Sequence, residues 1–287
     1  MNILKIQNPF DAPVFFIETV SSTMDISRQL ASEGAAHGAV VTADFQEAGR
    51  GRIQGRSWEM DRGASLPFTI LLRYPRLEEI PSALTLRAGL AVSLAIEDFA
   101  SQSIENNELL NVKVKWPNDI MIGGKKAAGI LCEANDGDVH LGIGINITQS
   151  EFPVHLRGKA TSIREQLAGS SEQLAISNEQ LAKNIEQLAG SGERFTKSDA
   201  RFLLLEMVLA RLHEELETEK GKNWKSRLEQ RLFKKGEQVV FAEGAADSGK
   251  IVKGCLAGIG EGGELLITSE GEIKTRAFIA GELKFTL

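Results

Sequence analysis

The stretch from residue 112 to 148 constrains the fold more than any other. It consists of short β-favouring runs, VKVKW, IMI, KKAAGILCE and VHLGIGINI, separated by PND, Gly123-Gly124 and Asp136-Gly137. Gly-Gly and Asp-Gly pairs between such runs are hairpin signals, because these residues take the positive φ angles that tight two-residue turns require. A hairpin joins its strands antiparallel, so this part of the chain must build an antiparallel or mixed sheet. With helices on that sheet the class is α+β rather than a parallel doubly wound plan.

The flanking segments fill out this plan. Upstream come a strand (Val14 to Ile17), a helix from about Asp25 to Glu33 stopped by Gly34, a strand (Val40 to Phe45), a Gly/Arg loop and an apolar strand near Leu66 to Arg73. A helix from about Ser82 to Phe99 follows, with Leu86, Leu90, Leu94 and Ile96 on its apolar face. Two further helices are predicted at about Lys197 to Glu219 and Trp224 to Phe233, and after Gly236 the short strands and Gly turns suit a small β-barrel. At 287 residues the chain exceeds what one core comfortably holds. Residues 1–235 are therefore expected to form the main domain and 236–287 the barrel. EQLA recurs at 165, 172, 179 and 186, which predicts an insertion at about 165–192 with an amphipathic helix from about Ser171 to Ala189. That helix either docks on the parent domain, forms a surface insertion, or pairs as a coiled coil.

With 42% apolar and 25% charged residues this is the composition of a globular protein. Its longest apolar runs, such as LAVSLAI, fall short of the roughly 18 residues of a membrane span, and MNILKIQNPFD lacks a secretory apolar core. A cytoplasmic chain with no membrane partner is expected. Cys132 and Cys255 are far apart and read as free thiols. The net charge of −6 argues against DNA as the main partner. Positive charge is instead local, at Arg50, Arg52 and Arg56 and at Lys113, Lys115, Lys125 and Lys126. The four histidines share no ligand spacing, so no dedicated metal site is expected.

EAGRGRIQGRSW, at 47–58, is the most informative chemical stretch. Gly49, Gly51 and Gly55 let backbone N–H groups approach an anion, and three arginines supply always-ionised donors that match phosphate oxygens in pairs. Trp58 offers a flat face for a nucleobase. The same residues also suit a solvated basic loop with a core tryptophan. No GxxxxGK[ST] is present, and GIGIN at 142–146 lies inside a strand pattern, so neither nucleotide fingerprint applies. Gly142 and Gly144 imply close approach of a ligand or ordinary sheet packing. Asn146 is a strand-end cap or a donor and acceptor for an adenine edge. Lys126, entering the apolar run AAGILCE, needs an anion from a ligand or guards a sheet edge. Asn118 and Asp119, behind Pro117, stand at the lip of the sheet or serve the turn alone. Ser22 and Thr23 cap a helix or meet a small polar head group, and Gln46 ends its strand towards the same place.

Taken in order, SST, Gln46, GRGR…GR-W, KWPND, KxAGIL and GIGIN, followed by a small barrel, closely resemble the catalytic core of biotin protein ligases. The resemblance spans nearly the whole chain outside the heptad insertion. It implies a biotin/lipoate ligase-like catalytic domain with a C-terminal SH3-like β-barrel. It also implies the class without an N-terminal helix-turn-helix, since the strand at Val14 leaves no room for one. The implied reaction takes MgATP and biotin as substrates, forms biotinyl-5′-AMP with release of pyrophosphate, and passes biotin to a lysine of a biotin carboxyl carrier protein. Monomer and homodimer stay open. By this resemblance Lys126 bridges the carboxylate and α-phosphate as the principal catalytic residue, with Arg52 closing the loop and Asp119 near the incoming lysine. Ser22, Thr23 and Gln46 would hold the biotin head group, Gly49, Arg50 and Gly129 would lie beside biotin, and Gly142 and Gly144 would lie against its ring. Gly51, Arg52, Arg56, Trp58, Asn118, Lys126 and Asn146 would serve ATP and the adenylate. A lipoate or octanoate ligase, or a biotinyl-adenylate sensor that does not transfer, are the alternatives. The family has one residue between GRGR and the next GR; here Ile53 and Gln54 make two.

Overall fold

The computed structural model describes residues 1–53, 55–103, 110–169, 200–244, 249–269 and 274–284; the predicted helix from Ser171 to Ala189 lies outside them. Eight strands form one sheet: β1 (Asn2–Leu4), β2 (Val14–Val20), β3 (Val40–Gln46), β4 (Ser65–Arg73), β5 (Val112–Lys115), β6 (Asp119–Ile122), β7 (Lys125–Asn135) and β8 (Asp138–Asn146). Their order is β1-β2-β3-β4-β8-β7-β6-β5. Only β2 and β3 pair parallel, because α1 (Thr23–Ser32) crosses between them; the other pairings are antiparallel, so the sheet is mixed. The turns behave as their composition requires, with φ of +57° and +76° at Gly123 and Gly124 and +49° and +87° at Asp136 and Gly137. Gly34, at φ +88°, ends α1.

The two faces of the sheet have different tasks. One packs against α2 (Leu84–Ser103) and α4 (Ala200–Glu217), with α5 (Trp224–Arg231) beside them. Phe68, Ile70, Ile143 and Ile145 are buried in this core with Leu90, Ile96 and Leu209. Helix α2 rests directly on β5 and β6: a Cβ on Gly89 would lie 3.1 Å from Val114 and 3.6 Å from Ile120. By length and composition alone the segment Leu77–Gln102 could cross a membrane, yet it is largely buried as this core helix. The first EQLA unit lies in α3 (Ile163–Gly169), where Leu167 is buried.

Residues after 237 build a second, antiparallel sheet of five short strands, β9 (Gln238–Glu243), β10 (Lys250–Ile259), β11 (Leu265–Ser269), β12 (Thr275–Phe278) and β13 (Gly281–Leu283), consistent with an SH3-like fold. Phe241, Leu256 and Ile267 fill its interior. It is fastened to the first sheet at the β5–β6 turn, where the Trp116 indole N–H donates to the Gly263 carbonyl at 2.9 Å and the Trp116 ring meets Phe241 edge-on.

The helical layer is clamped by a buried carboxylate. Glu215 of α4, 1% exposed, lies 3.2 Å from Arg87 of α2 and 2.8 Å from Arg227 of α5. Removing one partner of such a cluster strands buried charge, so Glu215→Ala should cost about 3–5 kcal/mol of stability, read as a lowered urea midpoint. An unchanged midpoint would show that the helices do not depend on it.

Candidate active site

The site lies on the sheet face opposite α2. Cross-strand partners share a face, so register lines up Pro67 of β4, Gly144 of β8, Gly129 of β7, Asp119 of β6 and Lys115 of β5 in one row. Thr69, Gly142 and Leu131 form the next. The glycines are there for space. A Cβ on Gly144 would lie 2.6 Å from the Trp58 ring, on Gly142 2.7 Å from the Met24 sulfur, and on Gly129 3.0 Å from the Lys126 ammonium. In this structure Trp58 and Met24 thus occupy the space over Gly144 and Gly142, where the sequence allowed either a ligand or sheet packing.

A β-bulge aims the central cation. Ile120 pairs with Ala128 but Met121 pairs with Lys126, so β7 holds one extra residue, Ala127. In an unbroken strand Lys126 and Gly129 would point to opposite faces; the bulge swings Lys126 onto the glycine floor. Its backbone is pinned on the outer side, donating to the Lys159 carbonyl at 2.8 Å and accepting from the Thr161 N–H at 2.9 Å. The ammonium lies 2.6 Å from Asp119 Oδ1, a charge contact without hydrogen-bond alignment, and 5.8 Å from the Trp58 ring centre.

GRGRIQGRSW folds as its own hairpin. Arg50 bridges Ser57, the Trp58 N–H donates to the Gly49 carbonyl at 2.9 Å, and the Gly51 N–H donates to the Arg56 carbonyl at 2.9 Å. The Arg56 N–H closes the turn on the Ile53 carbonyl at 3.0 Å, with Gly55 at φ +83°. The added residue therefore falls in the turn, and Gln54 itself lies outside the described residues. Each arginine has a protein acceptor: Arg50 donates to Asp25 of α1 at 2.6 Å, Arg52 to the Gly281 carbonyl at 3.2 Å, and Arg56 to both oxygens of Glu282 at 2.7 and 3.2 Å. The last two acceptors belong to β13, so the second sheet anchors the loop. Burial would raise the Glu282 carboxyl, but Arg56 and Lys284 outweigh it and hold it at about 2. The same contest, won by Arg50 and Arg28, keeps Asp25 below the usual carboxylate range.

The other end of the cleft is neutral. Gln46 Oε1 accepts from the Thr23 N–H at 2.8 Å and its hydroxyl at 3.0 Å, and the Thr69 hydroxyl donates to Thr23 Oγ1 at 2.9 Å. Ser22 caps α1 by accepting from the Met24 N–H. Ser22, Thr23, Gln46, Arg50, Gly51, Arg52, Trp58, Asn118, Lys126, Gly129, Gly142 and Gly144 all line this cleft. Gly49, Arg56, Asp119 and Asn146 do not. Gly49 is part of the hairpin and packs against Trp58 and Gln46, while Asp119 and Arg56 touch the site through Lys126 and the loop. Asn146 is buried and spoken for, accepting from the Ser65 hydroxyl at 3.3 Å and donating to the Thr161 carbonyl at 3.0 Å. Asn118 donates to the Ile130 carbonyl at 2.8 Å. Trp58 lies on the glycine floor, and its indole N–H is buried with no acceptor among the described residues.

Asp25, Met24, Gly281 and Glu282 escaped the sequence reading. Glu282 had no local signal, standing 226 residues from Arg56. Lys115 was one of a basic cluster; it is 4% exposed, and burial lowers its ammonium to about 8 against the opposing pull of Asp119 and Glu282.

A hydrogen-bonding neutral end, an apolar floor and a cationic end together suit a ligand with a polar head, an apolar body and an anionic tail. Residues 16–150 match the biotin/lipoate A/B protein ligase family. Within it the similarity is to biotin ligases. The bifunctional ligase/repressor BirA of Bacillus subtilis is 38% identical over 164 residues, 54% of this chain and 47% of the relative. The biotin–[acetyl-CoA-carboxylase] ligase of Mycobacterium tuberculosis is 34% identical over 150 residues, 51% of this chain and 52% of the relative. The chain thus spans about half the length of these curated relatives. The structure of the biotin protein ligase from Aquifex aeolicus in complex with biotin and ATP is similar at a TM-score of 0.65 and 26% identity, covering 94% of this chain and 97% of that one.

The Arg56–Glu282 contact carries a pH signature. Because the folded carboxyl is held at about 2, below its ordinary 4.5, its stabilisation is fully present above pH 4.5 and is lost as pH falls towards 2. Acid unfolding followed by tryptophan fluorescence should therefore be steeper in the wild type than in Glu282→Gln; equal slopes would show that this pair does not hold the loop.

Proposed function

We propose that this chain is a biotin protein ligase, which activates biotin with ATP as biotinyl-5′-AMP and transfers it to a lysine of a biotin carboxyl carrier protein. The observation that carries this reading is the bulge that places Lys126 between a neutral, hydrogen-bonding end and an arginine hairpin. Thr23 and Gln46 suit an uncharged polar head group, the glycine floor suits a flat apolar ring, and the cations suit a carboxylate meeting a triphosphate.

The chemistry requires this arrangement. A biotin carboxylate oxygen bonds to the α-phosphorus of ATP while the bond from that phosphorus to the β-bridging oxygen breaks, and pyrophosphate leaves with the electron pair. Two anions must approach each other, so fixed positive charge lowers the barrier. Lys126 reaches both partners. In the second step a lysine amine attacks the biotinyl carbonyl, the amide forms, and AMP departs; the amine sheds a proton, and Asp119 is the carboxylate beside Lys126 that orients or receives it. Arg52, tied to the second sheet, keeps the loop over the intermediate and water away from the anhydride.

Among the described residues no three His, Cys, Asp or Glu side chains gather to hold a metal ion. Mg2+ would enter as part of the MgATP substrate. A cytoplasmic location suits the substrates and the unpaired Cys132 and Cys255.

Lys126→Ala should lose about 10²–10³-fold in biotin-dependent ATP–pyrophosphate exchange while its circular dichroism stays native; near-normal exchange would remove Lys126 from the mechanism. Arg52→Gly should release the intermediate, so that mass spectrometry finds biotin on lysines of an unrelated bystander protein. Labelling confined to the carrier would count against loop closure by Arg52. Lipoate in place of biotin in the same carrier assay tests the substrate.

A further inference from the structure

The row of residues across the floor does not end at the reaction centre. Beyond Gly129 it continues through Asp119 on β6 to Lys115, the last residue of β5 and the edge of the sheet. At the usual strand spacing this carries it roughly 10 Å past the glycine that Lys126 overlies. Val114, the preceding residue, faces α2 through Gly89, so Lys115 faces the site side. Lys115 is 4% exposed, and its charged neighbours are Asp119, Glu282, Lys126 and Arg56. A buried ammonium needs anionic company, and its neighbourhood joins three residues of the catalytic sheet and loop to one of the second sheet.

Phosphoryl transfer adds a direction. Attacking and leaving oxygens stand roughly in line through phosphorus. In the proposed reaction the carboxylate would arrive from the end of the cleft where Thr23, Gln46 and Thr69 bond one another, on the β3 and β4 side, and the α-phosphate would meet Lys126 over β7. The leaving group must then point onward over β6 and β5. We propose that Lys115, with Arg56, binds the β- and γ-phosphates of ATP and takes up the negative charge that develops on pyrophosphate as the bond to the α-phosphorus breaks. This rests on the ligase reading above. Until nucleotide arrives, the carboxylates of Asp119 and Glu282 hold the cations that the phosphates will engage. Burial draws the Lys115 ammonium down to about 8, and an added phosphate anion favours its charged form.

The two half-reactions separate this role from a structural one. Full-length wild type, Lys115→Met and Lys115→Arg are compared in biotin-dependent ATP–pyrophosphate exchange, and in transfer to a carrier domain from synthetic biotinyl-5′-AMP without ATP. Lys115→Met should lose roughly 10–100-fold in exchange, with raised KM for ATP and pyrophosphate, while transfer stays within about twofold. Lys115→Arg should recover part of the exchange. Parallel loss of both half-reactions, or exchange retained within about twofold, overturns the assignment. Should methionine at this buried site fail to fold, Lys115→Gln is read by the same split. A wild type inert with biotin and ATP removes the ligase reading, and this inference with it; an active wild type without the split removes the inference alone.

Discussion

Alternation along a β-strand is the constraint on which the site depends. Strand β7 must present Ala128 and Ile130 to the helices on one face and Gly129 and Leu131 to the cleft on the other. Strict alternation would send Lys126 to the wrong side of the sheet. One extra residue at Ala127 breaks the alternation at the strand's start, and the 159–161 segment satisfies the backbone groups that the break exposes. The core face and the cleft face can then both be served by one strand.

Around Lys126 the electrostatics are prepared before any substrate is present. Asp119, Asp25, Glu282 and the Gly281 carbonyl each hold a cation at hydrogen-bonding or ion-pair distance. Cations set in place in this way would need little rearrangement to meet the phosphates of the proposed substrate, and such preorganisation is the physical basis of charge stabilisation. The second sheet takes part through β13. Trp58 is packed on the glycine floor, its indole N–H without an acceptor among the described residues, and it would have to share or yield that floor to the flat ring of the proposed substrate.

Much of this was legible along the chain. Gly123-Gly124 and Asp136-Gly137 announced their hairpins because only a few residue types accept positive φ, and Gly34 announced the end of α1 for the same reason. The helix over Leu84–Ser103 followed from its apolar spacing, although its length and hydrophobicity resemble a membrane span until the sheet is seen beneath it. Gathering of Ser22, Thr23, Gln46, Arg50, Arg52, Asn118 and Lys126 around one cleft was implied by the resemblance to biotin protein ligases that their motifs carry, and the cleft lining agrees. Asn146 was not separable in advance into cap or ligand group; its amide is engaged by Ser65 and the Thr161 carbonyl.

By itself the sequence determined the strand and turn grammar, the α+β class and the residue types of the site, because these depend on local backbone preferences and side-chain chemistry. Tertiary structure decided the rest. Which face Lys126 uses depends on a bulge visible only in the pairing of β6 with β7, the partners of Arg52 and Arg56 come from a strand more than two hundred residues away, and Lys115 joins the row only through the register of five strands. Pairing between distant strands reflects the packing of the whole chain, which no local run of residues encodes.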